Sequence, residues 1–376
     1  MSDIKLKTNS AKLVLALATI LVTAYMWLFL HAESQLAIGV LIVLALVLAI
    51  VGKKTGTTQK VEQAAAIQPG LARLWSIMGV LALVAAFYDS HFVLMMICAV
   101  LLYSTACMGL TLQFGFVGVA NFAGAAFFGI GSYTTAVLAT HTGLPQLANI
   151  AISGVVAAII GSVLILPVLR TRGHYAALVT IAFGILFKTF IEVNDVLGGP
   201  QGLQVPGMQL FGHAFNDGFK LFGIEFSFYV SYVLLSLVIC ACAFVLVKAL
   251  ERSWVGLSMD VVRTDETAAA TFGLHIARWK VIAFTMGNLF AGIAGSVYGM
   301  MVGFIAPNNF TFSDSLLLVS IAILGGLGNP VGLIPAAIIV LMLPEKLQFI
   351  QEYRVLLYAA LAVSYTHLTL PTIYSV

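Results

Sequence analysis

Charge is what this sequence has least of. Its 18 Lys and Arg and 15 Asp and Glu make up 9% of 376 residues, against about 25% in soluble domains. With a mean hydropathy of +1.06, this excludes a soluble globular protein. The net charge is +3 and the bases are spread through loops, so no nucleic-acid partner is implied. Cysteine is also sparse. Cys98, Cys107, Cys240 and Cys242 all sit in apolar runs without metal-ligand spacing to histidine, which points to packing and implies neither a disulfide nor a metal site. There is no HExxH, GxSxG or Walker A motif and no carboxylate pair within an apolar run, so no enzymatic centre, cofactor or motor is expected. The apolar runs carry no acid and no histidine, which argues against a proton-driven carrier. Sodium coupling through backbone carbonyls and a channel both remain open on composition.

What the chain does have is length in apolar runs. A span needs roughly 20 apolar residues, so an all-α polytopic membrane protein of about nine or ten transmembrane helices is expected. Spans are predicted over residues 13–30, 36–51, 74–88, 92–112, 126–139, 147–169, 175–191, 226–247 and 281–303. Further apolar segments at 315–324 and 333–343 flank a GGLGNPVG hinge, and residues 344–354 read as a polar turn. The first span follows Lys5, Lys7 and Lys12 and lacks a small-residue cleavage site, so it reads as a retained helix. Residues 52–73, with Lys53, Lys54, Lys60 and Arg73, read as a basic loop.

Glycine is concentrated in two places. Residues 113–131 read QFGFVGVANFAGAAFFGIG, which fits either a broken, re-entrant segment lining a cavity or a tightly packed small-residue interface. Gly295, Gly299 and Gly303 recur every four residues and predict a face for close helix crossing. Lys188 is the lone cation of its span, four residues before Glu192. It reads as a lysine near a helix end that snorkels or pairs with Glu192, the alternative being a substrate-sensing lysine. Asn121, Thr180 and Asn288 are polar, uncharged and set among small residues. They are candidates to line a translocation pathway, the alternative being hydrogen bonds between helices.

The densest run of charge is residues 251–280, ERSWVGLSMDVVRTDETAAATFGLHIARWK, between two long apolar segments. Such an insert must sit in water. Asp265 and Glu266 stand at the start of a helix-favouring Thr-Ala-Ala-Ala run, Gly273 supplies a stop, and Arg278 and Lys280 make a basic exit. Placing the N-terminus in the cytoplasm and alternating sides puts fourteen of the 18 Lys and Arg inside and three outside, with Lys188 in a span. That is a strong positive-inside pattern. It places 251–280 in the cytoplasm and the polar, mainly acidic segment 192–225 outside.

Several motifs converge on one family. AAFFGIGSYTTAVL (125–138), LRTRGHYAALVTIAFG (169–184), LGGPQGL (197–203), VVRTDETAAATFGLHIARWKVIAF (261–284) and ILGGLGNPVG (323–332) resemble the LivM-type permeases of bacterial branched-chain amino-acid ABC importers. A wider group includes urea and short-chain amide permeases. The resemblance runs from about residue 103 to 361. It implies an importer permease fold in the bacterial inner membrane, working with a second homologous permease, two cytoplasmic ABC ATPases and an extracytoplasmic solute-binding protein. It implies leucine, isoleucine and valine as solutes, with urea or a short-chain amide as the alternative. On it, 251–280 is the coupling segment, and Arg263, Asp265, Glu266, Ala269 and Gly273 match the family's ATPase-contacting motif. The chain departs from the family pattern at His174, at Ile185 and at Ala123-Gly124.

Three regions are therefore expected: N-terminal helices and a basic loop over 1–90, a permease core over 91–363, and a tail over 364–376. The last apolar run stops at Val363 after nine residues, about 14 Å of helix against a core of about 30 Å. The tail that follows, SYTHLTLPTIYSV, resembles translated sequencing-adapter read-through and is expected to be non-native.

Overall fold

A computed structural model describes residues 8–169, 175–210, 213–221, 224–347, 352–353, 356 and 358–360. Arg170, Arg172 and His174, the expected last apolar run at 355–363 for the most part, and the tail 364–376 lie outside the described residues. Among the described residues nine helices are long and apolar enough to cross a membrane. The chain is an all-α polytopic membrane protein, and among the described residues strands occur only as short antiparallel pairs. It divides into two units, residues 1–94 with 346–348 and residues 95–345 with 349–376.

The first unit holds α1 (Thr8–His31), α2 (Gln35–Thr55), α3 (Thr57–Ile67) and α4 (Pro69–Ala86). Ser34 caps α2 by accepting the Ala37 N–H at 3.2 Å. Pro69 opens α4 at a position where its missing N–H costs nothing. The expected loop over 52–73 is not a loop. α3 fills most of it, burying Ala64 against Ala11 and Leu15 of α1 while Lys60 stays exposed. The turn after α1 is held by Lys346, whose ammonium donates to Leu30 O at 2.7 Å and Ala32 O at 3.2 Å. Burial lowers the Lys346 pKa below its ordinary value, with Glu33 opposing.

The second unit begins within α5 (His91–Thr111), which runs on through a π-turn at Leu112–Phe116. Residues 118–123 are irregular, and α6 (Gly124–His141) follows. The glycine-rich stretch is thus broken, but over six residues only, and the helix after it starts two residues earlier than expected. Next come α7 (Gln146–Leu169), α8 (Tyr175–Val193), α9 (Tyr229–Glu251), α10 (Trp254–Thr264), α11 (Glu266–Thr271), α12 (Ile276–Val302), α13 (Phe312–Gly325) and α14 (Leu333–Ala337). A second π-turn at Ile338–Met342 leads into α15 (Leu343–Lys346), so the expected polar turn at 344–354 begins as helix.

α12 is the axis of this unit, with α6 and α7 packed along it. The approach is close because glycine carries no side chain. A methyl built on Gly131 would lie 2.0 Å from Gly292 O, and one on Gly295 would lie 1.9 Å from Phe128 O. α6 is buried almost throughout its first three turns. Its hydroxyls bond across helices: Thr135 Oγ1 is 2.7 Å from Ser153 Oγ and donates to Ser296 Oγ at 2.5 Å, and Ser132 Oγ donates to Gly295 O at 2.7 Å.

The polar segment before α9 folds as two 3₁₀ turns and short strands. β1 (Leu203–Gln204) pairs antiparallel with β6 (Phe304–Ile305), beyond α12. β2 (Gln209–Leu210) pairs with β3 (His213–Ala214), and β4 (Phe219–Leu221) with β5 (Ile224–Phe226). The buried Tyr232 hydroxyl anchors it. It accepts the Met208 N–H at 2.9 Å and lies 3.1 Å from both Met300 O and Asn216 Oδ1.

Candidate functional site

Two places in the second unit hold the polar residues singled out by sequence. The first is the charged insert between α9 and α12. It contains two helices where one was expected. α10 starts at Ser253, whose Oγ accepts the Gly256 N–H at 3.4 Å, and buries Gly256, Met259 and Val262 on one face. Asp265 then caps α11, its Oδ1 accepting Thr267 N–H at 2.8 Å and Ala268 N–H at 3.1 Å. Gly273 ends the element in the left-handed region, φ 77°, with its N–H on Ala270 O at 3.0 Å, and Leu274 N–H returns to Ala269 O at 3.0 Å. Ala269 is buried. Arg263 pairs with Asp260 at 2.6 Å and Glu266 with Lys280 at 2.6 Å. The five motif residues therefore each support the element's own shape.

What this element offers outward is apolar. Trp254 is 69% exposed, Leu257 66% and Phe272 83%. Trp254 also packs edge-on against Trp279 at 5.4 Å between ring centroids. Sequence reasoning passed over all three. Their signal was an aromatic or leucine inside the most charged run of the chain.

The second place is an amide cluster at the break between α5 and α6. Asn121 Nδ2 donates to Gln113 Oε1 at 2.7 Å and faces Asn288 Oδ1 at 3.3 Å. Gln113 Nε2 donates to Asn288 Oδ1 at 3.0 Å and Phe284 O at 3.1 Å. Asn121 Oδ1 accepts the Ala123 N–H at 2.9 Å, starting α6. Thr180 joins from α8, accepting the Phe122 N–H at 3.0 Å. All four side chains are buried, and the space between Ala106, Leu110, Asn121, Asn288 and Leu318 admits no water molecule. The structure thus brings Asn121 and Asn288 together, sets Thr180 beside them, and adds Gln113, which sequence reasoning did not single out. Asn288 Nδ2 and Thr111 Oγ1 have no hydrogen-bond partner among the described residues.

The predicted glycine face on α12 is used unevenly. Gly295 is in backbone contact with α6, whereas a methyl on Gly299 would sit at an ordinary 3.4 Å from Ser132 Cβ. A methyl built on Gly303 would meet nothing within 4 Å. With φ 76° it is the C-cap of α12. Lys188 and Glu192 pair at 3.3 Å, each about a third exposed. Among the described residues no group of His, Cys, Asp and Glu could hold a metal.

The fold is that of a helical membrane protein with a capped polar insert between two spans and a dry amide cluster at a helix break. A family model described as branched-chain amino acid transport system / permease component matches residues 92–365, and the chain belongs to this family. It is 32% identical over 277 residues to the high-affinity branched-chain amino acid transport system permease protein LivM of Escherichia coli K12, covering 70% of this chain and 65% of that protein. LivM of Salmonella typhimurium is equally similar, at 32% over 277 residues. LivH of Salmonella typhimurium is 24% identical over 253 residues, covering 63% of this chain and 77% of LivH. The chain thus spans 65% of the length of the LivM proteins it matches. No solved structure matches it.

Proposed function

We propose that this chain is the passive membrane subunit of an ATP-driven importer that moves leucine, isoleucine and valine into a bacterial cell. The observation that carries the reading is the α10–α11 element. It is a capped, polar insert between two spans that leaves Trp254, Leu257 and Phe272 uncovered by the rest of the chain. Exposed apolar anchors set in a charged frame are what a protein groove buries. The occupant is one of two cytoplasmic ATPases, with Arg263, Asp265, Glu266, Ala269 and Gly273 shaping the contact. The similarity to both LivM and LivH supports pairing with a second homologous permease. An extracytoplasmic binding protein delivers solute to the side of residues 192–225, and the N-terminus is cytoplasmic. Residues 91–363 form the permease core, 1–90 lie outside it, and Asn121, Thr180 and Asn288 border the route.

Co-purification from membranes tests this reading. Tagged chain should bring down the second permease and the ATPase, and Leu257→Ser with Phe272→Ser should lose the ATPase while keeping the permease. Undiminished ATPase recovery by the double variant would remove the α10–α11 element as the contact.

A further inference from the structure

Gln113 stands where three features meet. It lies on the π-turn that ends α5, and its backbone carbonyl accepts the Val119 N–H at 2.8 Å, folding the irregular stretch back on itself. Short π-turns within α-helices are frequent at functional sites. Its buried side chain ties that stretch to α12 through three hydrogen bonds, with Asn121, Asn288 and Phe284 O. The cluster is not fully satisfied, because Asn288 Nδ2 has no hydrogen-bond partner among the described residues. A buried amide donor without a partner is disfavoured, so this arrangement is not the best the cluster could reach with a polar guest.

The same stretch touches the charged insert. Gly118 sits in the left-handed region at φ 68°, and a methyl built on it would lie 3.4 Å from Arg263 Cγ of α10. One short, irregular piece of backbone therefore has the amide cluster on one side and α10 on the other.

We propose that Gln113 is the positioning residue of a gate. It holds residues 118–123 against α12 so that the amides of Asn121 and Asn288 close the route in this state. This rests on the importer reading above. Movement of α10 reaches the gate through Arg263 and Gly118. It draws Asn121 away from Asn288 and opens the unpartnered Asn288 Nδ2 to water or the polar end of a solute. Gln113 sets the balance between the two states, and the ligand is a zwitterion or amide able to meet an uncharged carboxamide.

The test is the amount of solute moved per ATP hydrolysed by the reconstituted complex of both permeases, ATPases and binding protein, wild type against Gln113→Leu. The variant removes three hydrogen bonds at nearly constant volume. At about 0.6 kcal/mol each, these convert to a shift of about 20-fold toward the open gate. We expect the variant to assemble, to hydrolyse ATP with weakened dependence on loaded binding protein, and to lose solute moved per ATP relative to wild type. An assembled variant with the wild-type ratio overturns the gate. Absence of ATP-dependent uptake in the wild-type complex would instead overturn the importer reading. Where Gln113→Leu does not assemble, Asn288→Cys in a chain with the four native cysteines replaced is treated with a water-soluble maleimide. The gate requires labelling in one nucleotide state and protection in the other. Equal labelling in both states, or none in either, overturns it.

Discussion

Arg263 of α10 lies over Gly118 of the α5–α6 break, its Cγ 3.4 Å from where a methyl on that glycine would stand. This puts the most polar element of the unit in direct contact with its least regular backbone. A side chain on residue 118 would be strained by the positive φ of 68°, while its methyl would meet Arg263 only at ordinary contact distance.

Gly273 separates backbone conformation from packing. Nothing lies within 4 Å of a methyl built there, yet φ is 77°. Gly273→Val should lose uptake and ATPase association while the protein stays in the membrane, because an L-residue in the left-handed region costs roughly 1–2 kcal/mol and a β-branched one more. Gly273→Asn should retain more of both, since asparagine tolerates that region. Equal behaviour of the two variants in uptake assays would show that φ is not the reason for glycine.

Glu266→Lys breaks the 2.6 Å pair with Lys280 and puts a positive charge at the N-terminus of α11. Glu266 is more than half exposed, so the pair itself contributes at most about 1 kcal/mol and the protein should remain folded. Uptake should nonetheless be abolished, with ATPase recovery reduced in co-purification. Wild-type ATPase recovery would mean that this helix start does not face the partner.

Two glycines on one helix face should differ. Gly295→Ala forces α12 away from Phe128 O, 1.9 Å from the new methyl, whereas Gly299→Ala meets Ser132 Cβ at 3.4 Å. Overpacking of this kind typically costs about 1–3 kcal/mol. Thermal denaturation of the purified variants in detergent should show a lowered midpoint for Gly295→Ala and little change for Gly299→Ala. The reverse order would contradict the helix contact described above.

Eight of the nine expected spans were legible because hydrocarbon demands long apolar runs. The span expected over 126–139 falls on α6, which is not among the nine helices long and apolar enough to cross a membrane. Pro307–Gly325 is among them, yet in the sequence it reads only as a shorter apolar segment at 315–324. The ends of the glycine-rich stretch were not legible, because glycine serves two purposes there with one letter. Gly118 turns the backbone, whereas Gly131 lets two helices touch, and only the structure tells them apart. α3 was hidden by its polar composition, since its helix rests on a few alanines that pack against α1. α10 was hidden because its buried residues, Gly256, Met259 and Val262, are interleaved with charge and short in number. Asn121 and Asn288 stood out as lone amides among small residues. Gln113 had the same signal, but its meaning lies in Asn288, 175 residues further along the chain, and local pattern carries no information about that pairing.

The central claim is that this chain conducts solute only when driven by ATPases on other chains. Uptake of radiolabelled leucine into proteoliposomes tests it most directly, with the purified chain alone, with its partner permease, and with ATPases, binding protein and internal ATP added. We predict no uptake above empty vesicles in the first two conditions and ATP-dependent accumulation in the third. Leucine accumulation by this chain without any ATPase would contradict the account.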